Sequence, residues 1–123
     1  MRALLARVKT IAVVGLSDRP ERPAYGVAAY LQRQGYRIIP VHPQATAVHG
    51  EKAYRSLAEV PEPIDLVDVF RASDAVPALL GEMKALGLGY AWLQEGITCG
   101  ESPAGMTVVQ DRCLLKEHRR LLG

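Results

Sequence analysis

The chain has 123 residues, of which 49% are apolar and 23% are charged, and its formal net charge is +2. These values are typical of one globular domain with a hydrophobic core, and so small a charge argues against nucleic acid as a partner. No apolar run reaches the length of a membrane span and no secretory signal is recognisable, so we expect a cytoplasmic protein without membrane attachment. Its two cysteines form no CxxC pair and are expected to be reduced.

Apolar runs alternate with helical patterns along the chain, which predicts parallel strands joined by right-handed crossovers. A short amphipathic helix is expected at the N-terminus, with Leu4, Leu5 and Val8 on one face. The five predicted strands span residues 11–16, 36–41, 64–70, 90–94 and 106–110. The other predicted helices span residues 24–34, 54–60, 74–86 and 111–122.

Several residues set the expected ends of these elements. Gly35 and Gly87 are placed as helix C-caps, and Ser73 as a helix N-cap. Pro40 cannot donate to a strand ladder, so it is expected near a strand end or at the sheet edge. Residues 95–105 are few for a parallel crossover, which usually contains a helix. Either this crossover is abbreviated or residues are missing from the segment.

The loop between the first strand and the first long helix has the features of an anion-binding site. Gly15 ends the apolar run and Pro23 marks the helix start, so free backbone N–H groups and the helix dipole face the loop. Ser17 adds a hydroxyl, and Arg22 adds a guanidinium. The helix dipole disfavours a cation at a helix start, and a bound anion would remove this penalty. Arg19 is interpreted as a surface charge. The combination predicts a phosphate or pyrophosphate site where nucleotides bind in open α/β sheets.

This loop lacks the patterns of the common nucleotide sites. A dinucleotide fingerprint requires three glycines and a later acidic residue, whereas here Gly15 stands alone and His42 and Pro43 follow the second strand. The Walker A pattern is absent from the sequence as well. A nucleotide that carries an extra phosphate where NAD carries hydroxyls fits better. Coenzyme A, with its 3′-phosphate, is such a ligand.

Other residues leave more than one interpretation open. Arg71 follows the third strand on the ligand side of the sheet and is either a ligand contact or a surface arginine. Phe70 is either ordinary core or a wall beside an adenine or pantetheine arm. His42 has no identifiable catalytic partner. Cys99, in the Gly-rich crossover segment, and Cys113, at the start of the last helix, are each either a reactive thiol or an inert one, and the inert interpretation is favoured. The sequence therefore predicts neither a catalytic pair nor a metal site.

Four blocks of the sequence resemble the small bacterial and archaeal CoA-binding proteins, which are single-domain relatives of the CoA-binding domain of the succinyl-CoA synthetase α subunit. In family order, the blocks are VVGLSDRPERPAYGVAAYLQRQGYRIIPVHP, GEKAYRSLAEVPEPIDLVDVFR, WLQEGI and VVQDRCLLKEHRRL. The resemblance covers nearly the whole chain and implies one CoA-binding domain over residues 1–123. It implies a Rossmann-like three-layer α/β sandwich, with CoA at the carboxyl ends of a five-stranded parallel sheet.

The family's motifs fall on particular positions of this chain. The loop G-x-S-x-x-P-x-R corresponds to Gly15, Ser17, Pro20 and Arg22, and the P-V-N-P turn to residues 40–43, with His42 in place of the usual Asn. The V-F-R motif ends at Arg71, and W-x-Q-x-G-I supplies Trp92, Gln94, Gly96 and Ile97. The motif D-R-C-x-x-x-E-H supplies Asp111, Arg112, Cys113, Glu117 and His118. Family members usually carry a helix in the segment that is short here.

Residues and resemblance together predict a protein that binds CoA or acyl-CoA and has no catalytic activity of its own. The residues predicted to contact CoA are Gly15, Leu16, Ser17, Arg22, Tyr25, His42, Pro43, Phe70, Arg71, Gln94 and Gly96. One alternative is a component of an acyl-CoA ligase complex, which would need a partner chain that the sequence does not identify. A less favoured alternative is a regulator that binds a nicotinamide nucleotide.

Overall fold

A parallel β-sheet organises the chain, whose computed structural model describes residues 1–44 and 46–123. The strands within these residues are β1 (Thr10–Val14), β2 (Arg37–Val41), β3 (Ala47–Val48), β4 (Glu51–Lys52), β5 (Leu66–Val69), β6 (Tyr90–Leu93) and β7 (Thr107–Val109). Five of them form one sheet in the order β2-β1-β5-β6-β7, with every neighbouring pair parallel. β3 and β4 form a separate antiparallel hairpin.

Helices cover both faces of the sheet. They are α1 (Arg2–Arg7), α2 (Pro23–Arg33), α3 (Val76–Ala85) and α4 (Leu114–Leu121), and short 3₁₀ turns lie at Leu57–Glu59 and Ser73–Ala75. The first face packs with α1, α2 and α4 in one hydrophobic cluster, and the second packs with α3 in another. This arrangement confirms the predicted Rossmann-like three-layer α/β sandwich with its five-stranded parallel sheet.

The central strands are apolar on both faces because both are covered. The exception is Asp68 on β5, which is fully buried between Val13 and Trp92 of the neighbouring strands. Neither carboxyl oxygen of Asp68 has a hydrogen-bond partner among the described residues. Burial without a partner raises the pKa of this carboxyl well above its ordinary value, which favours the neutral form of Asp68.

Several predicted element ends are confirmed. The C-cap residues of α2 and α3 are Gln34 and Leu86, and Gly35 and Gly87 lie one residue beyond the predicted cap position. Both glycines adopt positive φ angles, of 99° and 75°, and end the helices as predicted. Pro40 lies in β2, which is an edge strand of the sheet. Its carbonyl accepts a hydrogen bond from the Tyr54 N–H at 3.0 Å, so the following segment partly covers this edge.

Other local predictions are wrong. The segment predicted as a helix over residues 54–60 contains a bridge from Tyr54 to β2 and a single 3₁₀ turn. Ser73 does not cap α3, because it begins a 3₁₀ turn and the N-cap of α3 is Ala75. The Ser73 hydroxyl instead accepts a hydrogen bond from the Thr98 N–H at 3.0 Å. The last helix begins at Leu114 rather than at residue 111, because Asp111 has a positive φ of 55°, which is incompatible with a right-handed helix.

The crossover from β6 to β7 is abbreviated, and its described residues contain no helix. Hydrogen bonds fasten it to the segment that follows β7. The side chain of Gln110 accepts from the Cys99 N–H at 2.8 Å and donates to the Gly100 carbonyl at 2.7 Å. The Asp111 carboxylate accepts from the Gly96 N–H at 2.6 Å. Side-chain contacts therefore hold this segment where a crossover helix would otherwise pack.

Candidate functional site

A cavity of about 1060 Å³ opens at the carboxyl ends of the strands. The loops after β1, β2, β5 and β6 contribute to its wall, and so do the N-terminal ends of α2 and α4. This is the position at which open α/β sheets bind their ligands. The predicted contact residues that line it are Gly15, Ser17, Arg22, His42, Pro43, Phe70, Arg71 and Gln94.

Gly15 brings the loop after β1 against the end of β5. Its φ is +97°, a conformation that L side chains rarely adopt, and its N–H donates to the Val41 carbonyl at 2.8 Å. A Cβ atom at this position would lie 2.6 Å from the Phe70 carbonyl oxygen, closer than real contacts allow. Glycine is therefore required by the packing of the neighbouring loop, which places Phe70 at the cavity wall.

The start of α2 faces this cavity without a side-chain cap. Arg22 occupies the N-cap position in an extended conformation, and Pro23 follows it inside the helix. No side chain of the described residues caps this end. Pro23 has no N–H and the Tyr25 N–H donates to the Arg22 carbonyl at 3.1 Å, so the Ala24 N–H is the group of the first turn that remains available to an anion. Ser17 in the preceding loop is nine-tenths buried, and its hydroxyl accepts from the Arg19 N–H at 3.4 Å.

Three arginines give the cavity a positive wall. Arg19, Arg22 and Arg71 all line it, and none forms an ion pair with a carboxylate of the described residues. Arg19, which the sequence indicated only as a surface charge, thus joins the cavity while its side chain stays exposed. Two acidic residues, Asp18 and Glu95, also line the wall. Glu95 is paired with Lys116, with Nζ and Oε1 3.0 Å apart. The arrangement suits a ligand with more than one phosphate.

His42 and Gln94 occupy other parts of the wall with defined orientations. The Nδ1 atom of His42 accepts a hydrogen bond from the Gln44 N–H at 3.1 Å, which places the proton of the neutral ring on Nε2. Gln94 is 5% exposed, and its Oε1 accepts from the Leu114 N–H at 3.2 Å. Gln94 thus supplies a hydrogen-bond acceptor to the N-terminus of α4 from the end of β6.

Three of the predicted contact residues lie outside the cavity lining. The Leu16 side chain is fully buried in the core. Tyr25 packs against the His49 ring at a centroid distance of 4.2 Å. Gly96 is held by the Asp111 carboxylate. Ligand contact at Leu16, Tyr25 and Gly96 stays a prediction, as it does for the eight residues of the wall.

Several lining residues carried no functional prediction. Apolar side chains of Ala24, Val27 and Ile97 face the cavity, together with the thiol-bearing Cys113. Ala24 and Val27 follow the anion loop on one side of α2, a signal that helical spacing could have supplied. Cys113 reaches the wall only because α4 returns to the sheet beside α2, which no local pattern shows.

The described residues hold no cluster of three or more His, Cys, Asp or Glu side chains that could bind a metal ion. Among them, no helix is both long and apolar enough to cross a bilayer. The cavity wall combines backbone N–H groups and arginines with apolar side chains. Such a wall suits an elongated ligand that has a polyanionic end and a less polar arm.

Comparison with known proteins finds two similar chains of nearly the same length. The chain is 40% identical over 123 residues to YneT of Bacillus subtilis, which covers 96% of this chain and 91% of that protein. A structure of cell-free ID.343 from Thermus thermophilus superposes with a TM-score of 0.92 at 46% identity, covering 98% of this chain and 96% of that one.

A more distant similarity links the chain to a much larger enzyme. It is 29% identical over 97 residues to the ADP-forming acetate–CoA ligase of Methanocaldococcus jannaschii, a match that covers 79% of this chain but 13% of the ligase. The family described as CoA binding domain matches residues 9–119, which include all four strand ends that border the cavity. The chain belongs to this CoA-binding domain family.

Proposed function

We propose that this chain, as a single domain over residues 1–123, binds CoA or acyl-CoA in the cavity and catalyses no reaction by itself. The observation that carries the proposal is the meeting of three unpaired arginines with an uncapped helix start, within the described residues, at the ligand edge of the sheet. The family supports CoA as the ligand. The proposal includes a cytoplasmic location, where CoA and reduced thiols coexist.

The pyrophosphate of CoA would lie against the Gly15–Ser17 backbone and the first turn of α2. Arg22 and Arg71 would donate charge-assisted hydrogen bonds to it from two different loops. His42 and Pro43 would flank the adenosine end, where the 3′-phosphate distinguishes CoA from NAD. Phe70 would contact the adenine or the pantetheine arm from the cavity wall.

Ligand preference tests this proposal. At equal concentrations, CoA should raise the melting temperature of the protein more than NAD, NADP or ATP. A ligand at about 100 times its dissociation constant stabilises the folded state by roughly 2.7 kcal/mol. Thermal unfolding with each nucleotide measures the effect. Stabilisation by NAD without stabilisation by CoA would refute the assignment and favour the nicotinamide regulator.

The second candidate is a component of an acyl-CoA ligase, which the similarity to part of an acetate–CoA ligase favours. Under the proposed function, the isolated chain should not turn over acetyl-CoA or succinyl-CoA, with or without ATP. Of the histidines in the described residues, His42 alone lines the cavity, and its Nδ1 is engaged by the backbone. Thiol release and nucleotide hydrolysis measure turnover. A rate that disappears in His42→Ala would establish catalysis instead.

A further inference from the structure

The two cysteines lie on opposite faces of the sheet, and one of them lines the cavity. Cys113 is the N-cap residue of α4, is half-buried, and forms part of the cavity wall. Cys99 packs with the cluster on the other face, and its backbone N–H is held by Gln110. Only one thiol of the described residues is therefore in contact with the space that a ligand would fill.

A buried polar side chain beside Cys113 also points to a ligand there. Gln94 is 5% exposed, and the bond from the Leu114 N–H fixes its Oε1, so its Nε2 is the group left over. This Nε2 has no hydrogen-bond partner among the described residues. Unlike the carboxyl oxygens of Asp68, it is not fully enclosed by the protein. Its two N–H donors thus face the cavity next to Cys113, suited to an amide or carbonyl oxygen of a bound molecule.

The cavity wall combines two kinds of groups. Arg19, Arg22 and Arg71 belong to loops after β1 and β5, and Cys113 lines the same cavity together with the apolar side chains of Ala24 and Val27. A ligand that carries phosphates, amides and a thiol has a partner for each of these groups. CoA is such a ligand, with two amides in its pantetheine arm.

We propose that Cys113 is a site of thiol–disulfide exchange with the disulfide form of CoA. This inference rests on the proposed function, because the arginine wall must first hold one nucleotide half. The thiolate of Cys113 attacks the sulfur of that half, the S–S bond of CoA disulfide breaks, and a Cys113–CoA disulfide forms. The other half leaves as CoA thiolate, and the proton of Cys113 goes to solvent, so atoms and electrons balance without another oxidant.

Intact-protein mass spectrometry after exposure to CoA disulfide tests the inference. The wild type and Cys99→Ser should gain the mass of one CoA less two hydrogens relative to the thiol form, and Cys113→Ser should gain nothing. Serine at 113 is a favoured N-cap, so this variant should keep α4. The rate with CoA disulfide should exceed that with oxidised glutathione by about tenfold or more, a difference of about 1.4 kcal/mol.

A second measurement separates the two proposals. The wild type and Cys99→Ser should both be stabilised against heat by reduced CoA, because Cys99 lies outside the cavity lining. If CoA stabilises both proteins but neither forms an adduct at Cys113, the exchange site is refuted while the proposed function stands. An adduct on Cys99, or equal rates with both disulfides, also overturns the inference. If reduced CoA stabilises neither protein, the proposed function itself fails.

Discussion

At the scale of single residues, Gly15 links the backbone of the fold to the position of the candidate site. Its positive φ turns the chain out of β1, and its missing side chain leaves room for the Phe70 carbonyl. The loop that follows carries Ser17 and leads to Arg22 at the start of α2. The geometry of the anion site therefore depends on one glycine whose first role is packing.

Gly15→Ala should destabilise the fold more than Gly35→Ala. Both glycines have φ near +100°, at 97° and 99°, but a Cβ at Gly35 meets nothing within 4 Å whereas one at Gly15 meets the Phe70 carbonyl. We expect about 1–2 kcal/mol from the conformation alone at either position and a further loss at Gly15. Chemical denaturation measures both variants. Equal losses would show that the close contact relaxes without cost.

Arg22→Ala should weaken CoA binding by about 1.5–3 kcal/mol, the scale of a hydrogen bond to a charged group. The stability of the fold should barely change, because Arg22 is exposed and forms no ion pair within the described residues. Arg33→Ala is the matched control, since it removes the same charge from the other end of α2, outside the cavity. Calorimetric titration should find its affinity unchanged. Equal weakening in both variants would mean that only net charge matters.

At the scale of elements, α4 is held against the rest of the fold by a cluster of aromatic rings. The Nδ1 atom of His118 lies 2.8 Å from the Tyr30 hydroxyl of α2, and the His118 ring packs edge-on against Tyr30 and Tyr36. The Tyr36 hydroxyl donates to the Leu5 carbonyl of α1 at 2.6 Å. The guanidinium of Arg119 lies over the Tyr30 ring. Three helices on one face of the sheet thus meet at His118.

This cluster should make stability fall in mild acid. Burial lowers the pKa of His118 below its ordinary value of 6.5, so below that pH the unfolded chain binds a proton that the folded protein does not. The free energy of unfolding should therefore decrease as pH falls through 6.5 towards the folded pKa, by at most about 1.4 kcal/mol per pH unit.

His118→Gln removes this titration while keeping a side chain that can hydrogen-bond to Tyr30. The difference in unfolding free energy between wild type and variant should shrink as pH falls from about 7.5 to about 5.5. Because the other histidines are present in both proteins, their titration cancels in the difference. Urea denaturation at several pH values measures it. A difference that is independent of pH would mean that His118 titrates alike in the folded and unfolded chain.

The abbreviated crossover shows how an element can be replaced by side-chain bonds. Gln110 and Asp111 hold the segment after β6 through backbone groups of Gly96, Cys99 and Gly100. The same Asp111 has a positive φ and delays the start of α4. Cys113 consequently becomes the N-cap residue at the cavity wall instead of a residue inside a helix.

At the scale of the whole molecule, the alternation of apolar runs and helical patterns was enough to predict the sheet. The central strands β1, β5 and β6 are buried on both faces, so each appears in the sequence as a short apolar run. The carboxyl-end loops follow from that topology, which is why the Gly15 loop, His42 and Arg71 could be assigned to one edge.

What the sequence did not reveal depends on contacts between distant segments. The β3–β4 hairpin turns at His49 and Gly50, a two-residue turn between strands too short to show alternation. Ser73 is a residue type favoured at N-caps, but its hydroxyl accepts a hydrogen bond from the Thr98 N–H, which is distant in the sequence. Likewise, Cys113 reaches the cavity only because α4 returns to the sheet, and Arg19 reaches it through the course of the loop after β1. Leu16 was predicted as the last residue of the first strand and as a ligand contact, but β1 ends at Val14 and the Leu16 side chain lies in the core.

The central claim is that the cavity at this sheet edge selects CoA. Native mass spectrometry of the protein mixed with equal concentrations of CoA and NAD tests it most directly, because both nucleotides compete for one site in a single sample. The account predicts a predominant complex of one CoA per chain that Arg22→Ala depletes and Arg33→Ala retains. A predominant NAD complex, or a CoA complex that both variants retain equally, would contradict it.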